Sequence, residues 1–226
     1  MNQVLTPTTA APKSATLSSE LTLTLRDAII TGEIKQGSKL SETRLAKQLD
    51  VSRGPLREAI RRLEGMNLIE HIPQQGARVV KLNKTLILQI YDAREALESK
   101  IASLAAINMS SQEIDELHRS LDVQTKHMRE NGAAVISAES DYVFHEQVIR
   151  GGKNKVIENA LLKEIYNLIK MFRYQNAFAN ATSSNALIEH RHIAYAIEQR
   201  DSLLAETSMR QHIKRARKRI EERMRG

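Results

Sequence analysis

The 226-residue chain contains no cysteine. That absence excludes a disulfide framework and any thiolate metal site. Nor does any apolar run approach the roughly 20 residues that a membrane-spanning helix needs. The first residues lack the basic-then-apolar order of a secretory signal, so the expectation is a cytoplasmic protein with no membrane partner. Residues 1–16, rich in Thr, Ala, Pro and Ser, read as a disordered tail. The remaining length accommodates two modest domains.

Charge is present, and its placement is uneven. The formal net charge is +7, made up of +2 over residues 17–80, −2 over 81–207 and +6 over 208–226, with one lysine in the first sixteen. The basicity therefore belongs more to the C-terminal stretch MRQHIKRARKRIEERMRG than to the N-terminal half. That stretch reads either as a solvated basic helix end, where cations suit the dipole, or as a segment near nucleic-acid phosphates.

The most informative stretch is DVSRGPLREAIRRL, residues 50–63. Ser52 suits a helix N-cap, and Pro55 falls in the first turn, where a missing N–H costs little. Leu56, Ile60 and Leu63 share one helical face, and Arg53, Arg57 and Arg61 share another. Alone, this is either a solvated arginine face or a helix for DNA's major groove. The neighbours favour the groove. Ser41 can cap a short helix, SETRLAKQL, whose Leu45 and Leu49 form an apolar stripe, and Asp50-Val51 is a tight connection. Leu17–Thr31 is a longer amphipathic helix with Leu21, Leu25, Ala28 and Ile29, ending at Gly32. Residues 68–72 and 77–80 alternate like short strands around the turn Pro73-Gln74-Gln75-Gly76. Three helices and a hairpin make a winged helix-turn-helix over residues 17–80.

The run VSRGPLREAIRRLEGMNLIEHIPQQGARV resembles the DNA-binding domain of GntR-type bacterial transcription regulators. The resemblance implies that Arg53 and Arg57, beginning beside Ser52, reach bases or phosphates, and that the wing tip at Gln75 and Gly76 lies over the minor groove. Some relatives carry a further DNA-contacting arginine in the second helix. Aligned on Leu45, that position is Arg44, or it is one taken here by Thr43.

From Lys84 onward helical periodicity continues almost to the end, with no convincing strand. Helices are expected at 84–107, 111–130, 133–150, 154–178, 184–200 and 201–222, punctuated by Asn131-Gly132, Gly151-Gly152 and a polar stretch at 180–185. The fold class is therefore mainly α, a winged helix-turn-helix followed by an antiparallel bundle of about six helices over 81–226.

Three of these helices carry polar residues on an otherwise apolar stripe. Asp141 and His145 interrupt Ala134, Ala138 and Val148. His190 interrupts Leu187, Ala194 and Ile197, and His212 interrupts Ala205, Met209, Ala216 and Ile220. Buried unpaired, each neutral polar group costs on the order of 2–7 kcal/mol, and a charge more. They are either individually satisfied core residues or the ligands of one divalent metal, Zn²⁺ by donor chemistry, with Ni²⁺ or Mn²⁺ as alternatives. The segments DYVFHEQVIRGGKN, EHRHIAYAIEQRD and MRQHI resemble the helical effector domain of the FadR-type branch of the GntR family. Its metal-binding members imply the ligand set Asp141, His145, His190 and His212. His192 points elsewhere, and His71, His118 and His127 read as surface residues.

No nucleophile with a base accompanies this set, and Glu146 points to a different face from His145. The metal therefore reads as a ligand anchor and the chain as a regulator, not an enzyme. Arg94, in REALE, matches an arginine of the family and reads either as a fork for a ligand carboxylate or as a partner of Glu98. Arg173, Tyr174 and Asn154 are further candidates for the cavity wall, Asn154 equally for a helix cap. The resemblance implies a homodimer on a palindromic operator in double-stranded DNA, repressing until a small organic acid binds. Further resemblance, through SRGPLREAIRRLEG and LLKEIYNLIKMFRYQ, to regulators of propionate breakdown points to 2-methylcitrate or a related acid. The competing readings are a metal-dependent enzyme fused to a DNA-binding domain, and an architectural DNA-binding protein with a structural metal.

Overall fold

The computed structural model describes residues 13–130, 135–136, 138–176 and 182–224. The chain forms two compact units, the first ending at Val80 and the second starting at Lys81, except that Ile30–Gly32, at the end of the first helix, group with the second.

The first unit begins with α1, Lys13–Thr31, which turns at Gly32, where φ is +89°. Most of the expected tail lies outside the described residues, but the helix starts four residues earlier than Leu17. In α2, Glu42–Gln48, Ser41 accepts from the Arg44 N–H. The connection to α3, Arg53–Glu64, passes through Asp50 at φ +51°. Ser52 occupies the N-cap position of α3, but its side chain makes no capping hydrogen bond. Leu56, Ile60 and Leu63 are buried, as are Leu21, Leu25 and Ile29 of the α1 stripe. The wing is β1, Ile69–Ile72, paired antiparallel with β2, Gly76–Val79, in the register Ile69↔Val79 to Ile72↔Gly76. Its turn has Gln74 at φ +62° and Gly76 at +83°, a conformation that glycine accepts without strain. A short third piece, legible in no sequence alternation, pairs at Lys39↔Arg78, and the Leu40 N–H donates to the Ala77 carbonyl at 2.9 Å.

The second unit is built on α4, Lys84–Asn108, which packs against α6, Ala138–Gly151, α9, Ser184–Glu198, and α10, Ser202–Arg223. α5, Ser111–Glu130, covers α6 and α9. Two expectations are corrected. A strand pair exists after Lys84: β3, Val135–Ile136, pairs antiparallel with β4, Thr182–Ser183. Two-residue strands give no period to read, so Val135 and Ile136 passed for the start of a helix. The expected single helix 154–178 is instead α7, Lys155–Asn159, a π-helical segment at Ala160–Ile165, and α8, Tyr166–Gln175. The π segment rotates the face of α8 away from the direction that a regular helix would give it. Tyr166 is thereby buried with Ile101, Ile149 and Leu161, and its hydroxyl is delivered to α4. Ala134, placed by sequence on the α6 stripe, lies outside the described residues.

Gly151-Gly152, which reads as punctuation in the sequence, is a packing device. A Cβ on Gly152 would lie 2.4 Å from Ile101 Cδ1 and 2.9 Å from its carbonyl oxygen, so only glycine allows this turn to approach α4 so closely.

Candidate functional site

Asp141 and His145 stand one turn apart on α6, His190 on α9 and His212 on α10. All four are buried, and their donor atoms lie within 4.8 Å of one another. His145 Nε2 is 3.3 Å from His212 Nε2 and 3.9 Å from Asp141 Oδ2, and His190 Nε2 is 3.6 Å from Asp141 Oδ1. Ligand atoms around one ion at a metal–nitrogen distance of about 2.1 Å stand about 3.4 Å apart in a tetrahedron, so these gaps are ion-sized.

Proton placement argues the same way. His212 Nδ1 is 2.7 Å from Glu189 Oε2, and His145 Nδ1 is 2.6 Å from Glu98 Oε2, the latter an ion-pair contact too oblique for an aligned hydrogen bond. Burial pushes the Glu98 carboxyl up, but Arg94 and His145 outweigh it and bring the pKa down to about 2. Burial also raises Glu189, and the hydrogen bond from His212 together with the charges of His212, Arg219 and Arg215 outweighs it, so the net shift is downward. Both carboxylates are ionised and can only accept, which assigns each Nδ1 the proton and leaves each Nε2 a lone pair. Two lone pairs face each other beside Asp141, whose burial would raise its pKa but whose neighbours Arg173, His145 and His190 hold it far below the usual range. Both ring nitrogens of His190 are buried with no hydrogen-bond partner among the described residues. Burial, followed by His212, holds His190 well below its ordinary pKa, and burial lowers His212 likewise. Three imidazoles and one carboxylate thus converge in a buried cluster, and the donor set fits a divalent metal.

The supporting contacts are extensive. Arg173 Nη1 donates to Asp141 Oδ2 at 2.6 Å. Arg94 Nε donates to Glu98 Oε1 at 2.5 Å and its Nη2 to the Tyr166 hydroxyl at 3.1 Å, while that hydroxyl donates to Glu98 Oε2 at 3.1 Å. Phe144 stacks on His190 at 3.9 Å between centroids. Asp141, His145 and His212 line a small cavity with Arg94 and Arg173, offering about 30 Å³ to water-sized molecules within a crevice of about 420 Å³ that includes its open mouth.

Sequence-expected residues divide clearly. Arg94 lines the cavity, but its guanidinium is already held by Glu98 and Tyr166, so the partner reading describes it better than an open fork. Arg173 lines the cavity too. Tyr174 does not; it is exposed and borders a separate crevice with Tyr142 and Lys170. Asn154 caps α7, accepting from the Val156 and Ile157 N–H groups at 3.1 Å. His192 is exposed, and Glu146 pairs with Arg150. Sequence reasoning missed Tyr166 and Glu189 and gave Glu98 only a pairing role. Glu98 was findable, since it is a charge on the apolar face of α4, whereas Glu189 has no periodic signal.

In the first unit, Arg44, Ser52, Arg53 and Gln75 are exposed, as is Arg57, and Gly76 closes the wing turn. Arg53 and Arg57, each with a side chain 60% exposed, both reach Glu42 Oε2, at 3.6 and 3.3 Å. An exposed arginine column at a helix that succeeds a tight turn can enter a major groove.

Comparison with known proteins agrees. Residues 17–79 match the family described as bacterial regulatory proteins, gntR family, and residues 89–215 match the FCD domain. A probable D-xylose utilization operon transcriptional repressor of Paenarthrobacter nicotinovorans is 30% identical over 188 residues, covering 82% of this chain and 80% of that protein. An uncharacterized HTH-type transcriptional regulator of Bacillus subtilis is 27% identical, covering 83% and 84%. In fold, the solved structure of E. coli McbR/YncC superposes with a TM-score of 0.70 at 19% identity, over 93% of this chain and 99% of that one. Among the described residues no helix is long and apolar enough to cross a membrane. Both domain matches and the relatives are of transcription regulators rather than enzymes, and the chain belongs to the GntR family of bacterial DNA-binding regulators, in the branch that carries an FCD domain.

Proposed function

We propose that this regulator is a cytoplasmic repressor that releases DNA when a small carboxylate metabolite enters the cavity beside the four-donor cluster. The observation that carries the reading is the pair of Nε2 atoms 3.3 Å apart, which lie with Asp141 at a cavity in the helical unit. Asp141, His145, His190 and His212 would hold a divalent ion, Zn²⁺ by donor chemistry, with Ni²⁺ and Mn²⁺ as the alternatives. When bound, such an ion supplies a Lewis-acid anchor for a carboxylate and a neighbouring hydroxyl. Glu98 and Glu189 fix the tautomers of His145 and His212, and Arg94 and Tyr166 keep Glu98 ionised and in place. Arg173 orients Asp141 toward the cluster.

DNA is read by Arg53 and Arg57 at the start of α3, with Ser52, whose uncapped hydroxyl is free for a phosphate, Arg44 on α2, and Gln75 and Gly76 at the wing tip. A homodimer places two such units on a palindromic operator. The acid lowers operator affinity only insofar as it prefers the conformation that DNA does not select. A tricarboxylate such as 2-methylcitrate is the specific effector we favour. The test is operator binding by metal-loaded and chelator-treated protein, with and without 2-methylcitrate, citrate and lactate. Release by an acid only when the metal is present supports the reading. Release that ignores the metal, or no release by any acid, overturns it.

A further inference from the structure

Residues 208–226 hold eight lysines and arginines, and the structure accounts for most of them. Arg210 and Lys214 pair with Glu95, Arg215 with Glu189, Arg217 with Asp92 and Glu221, and Lys218 with Glu222. Arg210, Lys214, Arg215 and Arg217 thus tie α10 to α4 and α9, and Lys218 pairs within α10. Arg219 is different. It is half-buried, lines the cavity of the donor cluster, and among the described residues forms no ion pair or hydrogen bond. Its field helps hold the Glu189 carboxyl down, but that carboxylate is already occupied by His212 at 2.7 Å and Arg215 at 3.3 Å. The other two arginines further inside are neutralised, Arg94 by Glu98 and Arg173 by Asp141. Arg219 thus stands at the cavity within the field of Glu189 but in direct contact with no carboxylate among the described residues.

We propose that Arg219 binds a second carboxylate of the effector, which is therefore a short di- or tricarboxylate and not a monocarboxylate. The inference rests on the carboxylate-sensing reading above. Arg219 lies seven residues beyond His212 on the cavity side of α10, about 10 Å along the helix axis. Helical side chains lean toward the N-terminus, which brings the guanidinium back toward His212 and shortens that span to one a small polyacid can bridge. The cavity has room for little more than one or two waters, about 30 Å³, so an acid must displace side chains as it enters. Arg219 can move without breaking an ion pair, and it can then close on the ligand as a bidentate fork.

The experiment is calorimetric titration of full-length, metal-loaded protein with lactate, malate and citrate, with bound metal measured again afterwards. Lactate and malate share the 2-hydroxy acid head and differ by the second carboxylate. The wild type is expected to bind malate or citrate at least about tenfold more tightly than lactate, the scale of one charge-assisted hydrogen bond. Arg219→Gln is expected to bring that ratio to near one at full metal content, and Arg219→Lys to restore part of it. Retention of the preference in Arg219→Gln overturns the inference. Equal binding of all three acids by the wild type also overturns it and leaves carboxylate sensing standing. Binding of none of them, with or without metal, overturns the carboxylate reading and this inference together.

Discussion

His145 Nε2 and His212 Nε2 face each other at 3.3 Å, and the opposite nitrogen of each ring is held by a buried or half-buried carboxylate, Glu98 or Glu189. With both outer nitrogens protonated, neither inner nitrogen has a proton to share. Two lone pairs so placed suit a cation between the rings.

The two carboxylates should therefore govern metal affinity without touching the metal. Glu98→Gln and Glu189→Gln are expected to weaken zinc binding about 10–100-fold, the usual effect of removing a partner from a ligating histidine. Competition against a fluorescent zinc chelator measures this, and unchanged affinity in both variants would refute the tautomer assignment.

Acid should destabilise the metal-free protein in a defined window. The folded-state pKa values of His190 and His212 lie below the ordinary 6.5, chiefly through burial. The unfolded chain therefore takes up protons first. The stability these neutral rings contribute is complete above pH 6.5 and is lost as the pH falls from there toward their folded-state values. Glu98 acts in the same sense far lower, between its ordinary 4.5 and about 2. Thermal unfolding of chelator-treated protein should show Tm falling from about pH 7.5 to about pH 5. A flat or rising Tm would contradict the burial of neutral imidazoles.

Glu42 should restrain the DNA-reading arginines. It accepts from Arg57 and forms an ion pair with Arg53, and exposed pairs of this kind contribute about 0–1 kcal/mol. Glu42→Gln is thus expected to raise affinity for an operator selected from random DNA by up to about fivefold. Arg57→Ala is expected to cost about 1–3 kcal/mol in the same fluorescence-anisotropy titration. Loss of affinity in Glu42→Gln would show that Glu42 instead positions the arginines for DNA.

Gly152→Ala should be costly although it adds one methyl. The new Cβ meets Ile101, including its backbone oxygen, so the end of α6 must separate from α4. A loss of about 1–3 kcal/mol is expected in urea unfolding. A neutral result would mean that the turn relaxes freely.

Much of this was legible in the sequence because it is periodic. The stripes of α6, α9 and α10 exposed Asp141, His145, His190 and His212 as polar interruptions, and the same period gave the arginine column of α3. What failed to register has no period. β3 and β4 are two residues each, and the π segment at Ala160–Ile165 interrupts a pattern that reads as one helix. Tyr166 owes its place beside Arg94 and Glu98 to that interruption. Arg219 could not be singled out among its basic neighbours, because only the packing of α10 on α4 shows which cations are paired and that Arg219 lies at the cavity.

The most direct measurement is elemental analysis of wild-type and His190→Ala protein, purified without chelators or nickel affinity resin. The account predicts about one divalent ion per wild-type chain, in line with a single four-ligand site, and its loss in the variant. A metal-free wild type that also takes up no added Zn²⁺, Ni²⁺ or Mn²⁺ would contradict it.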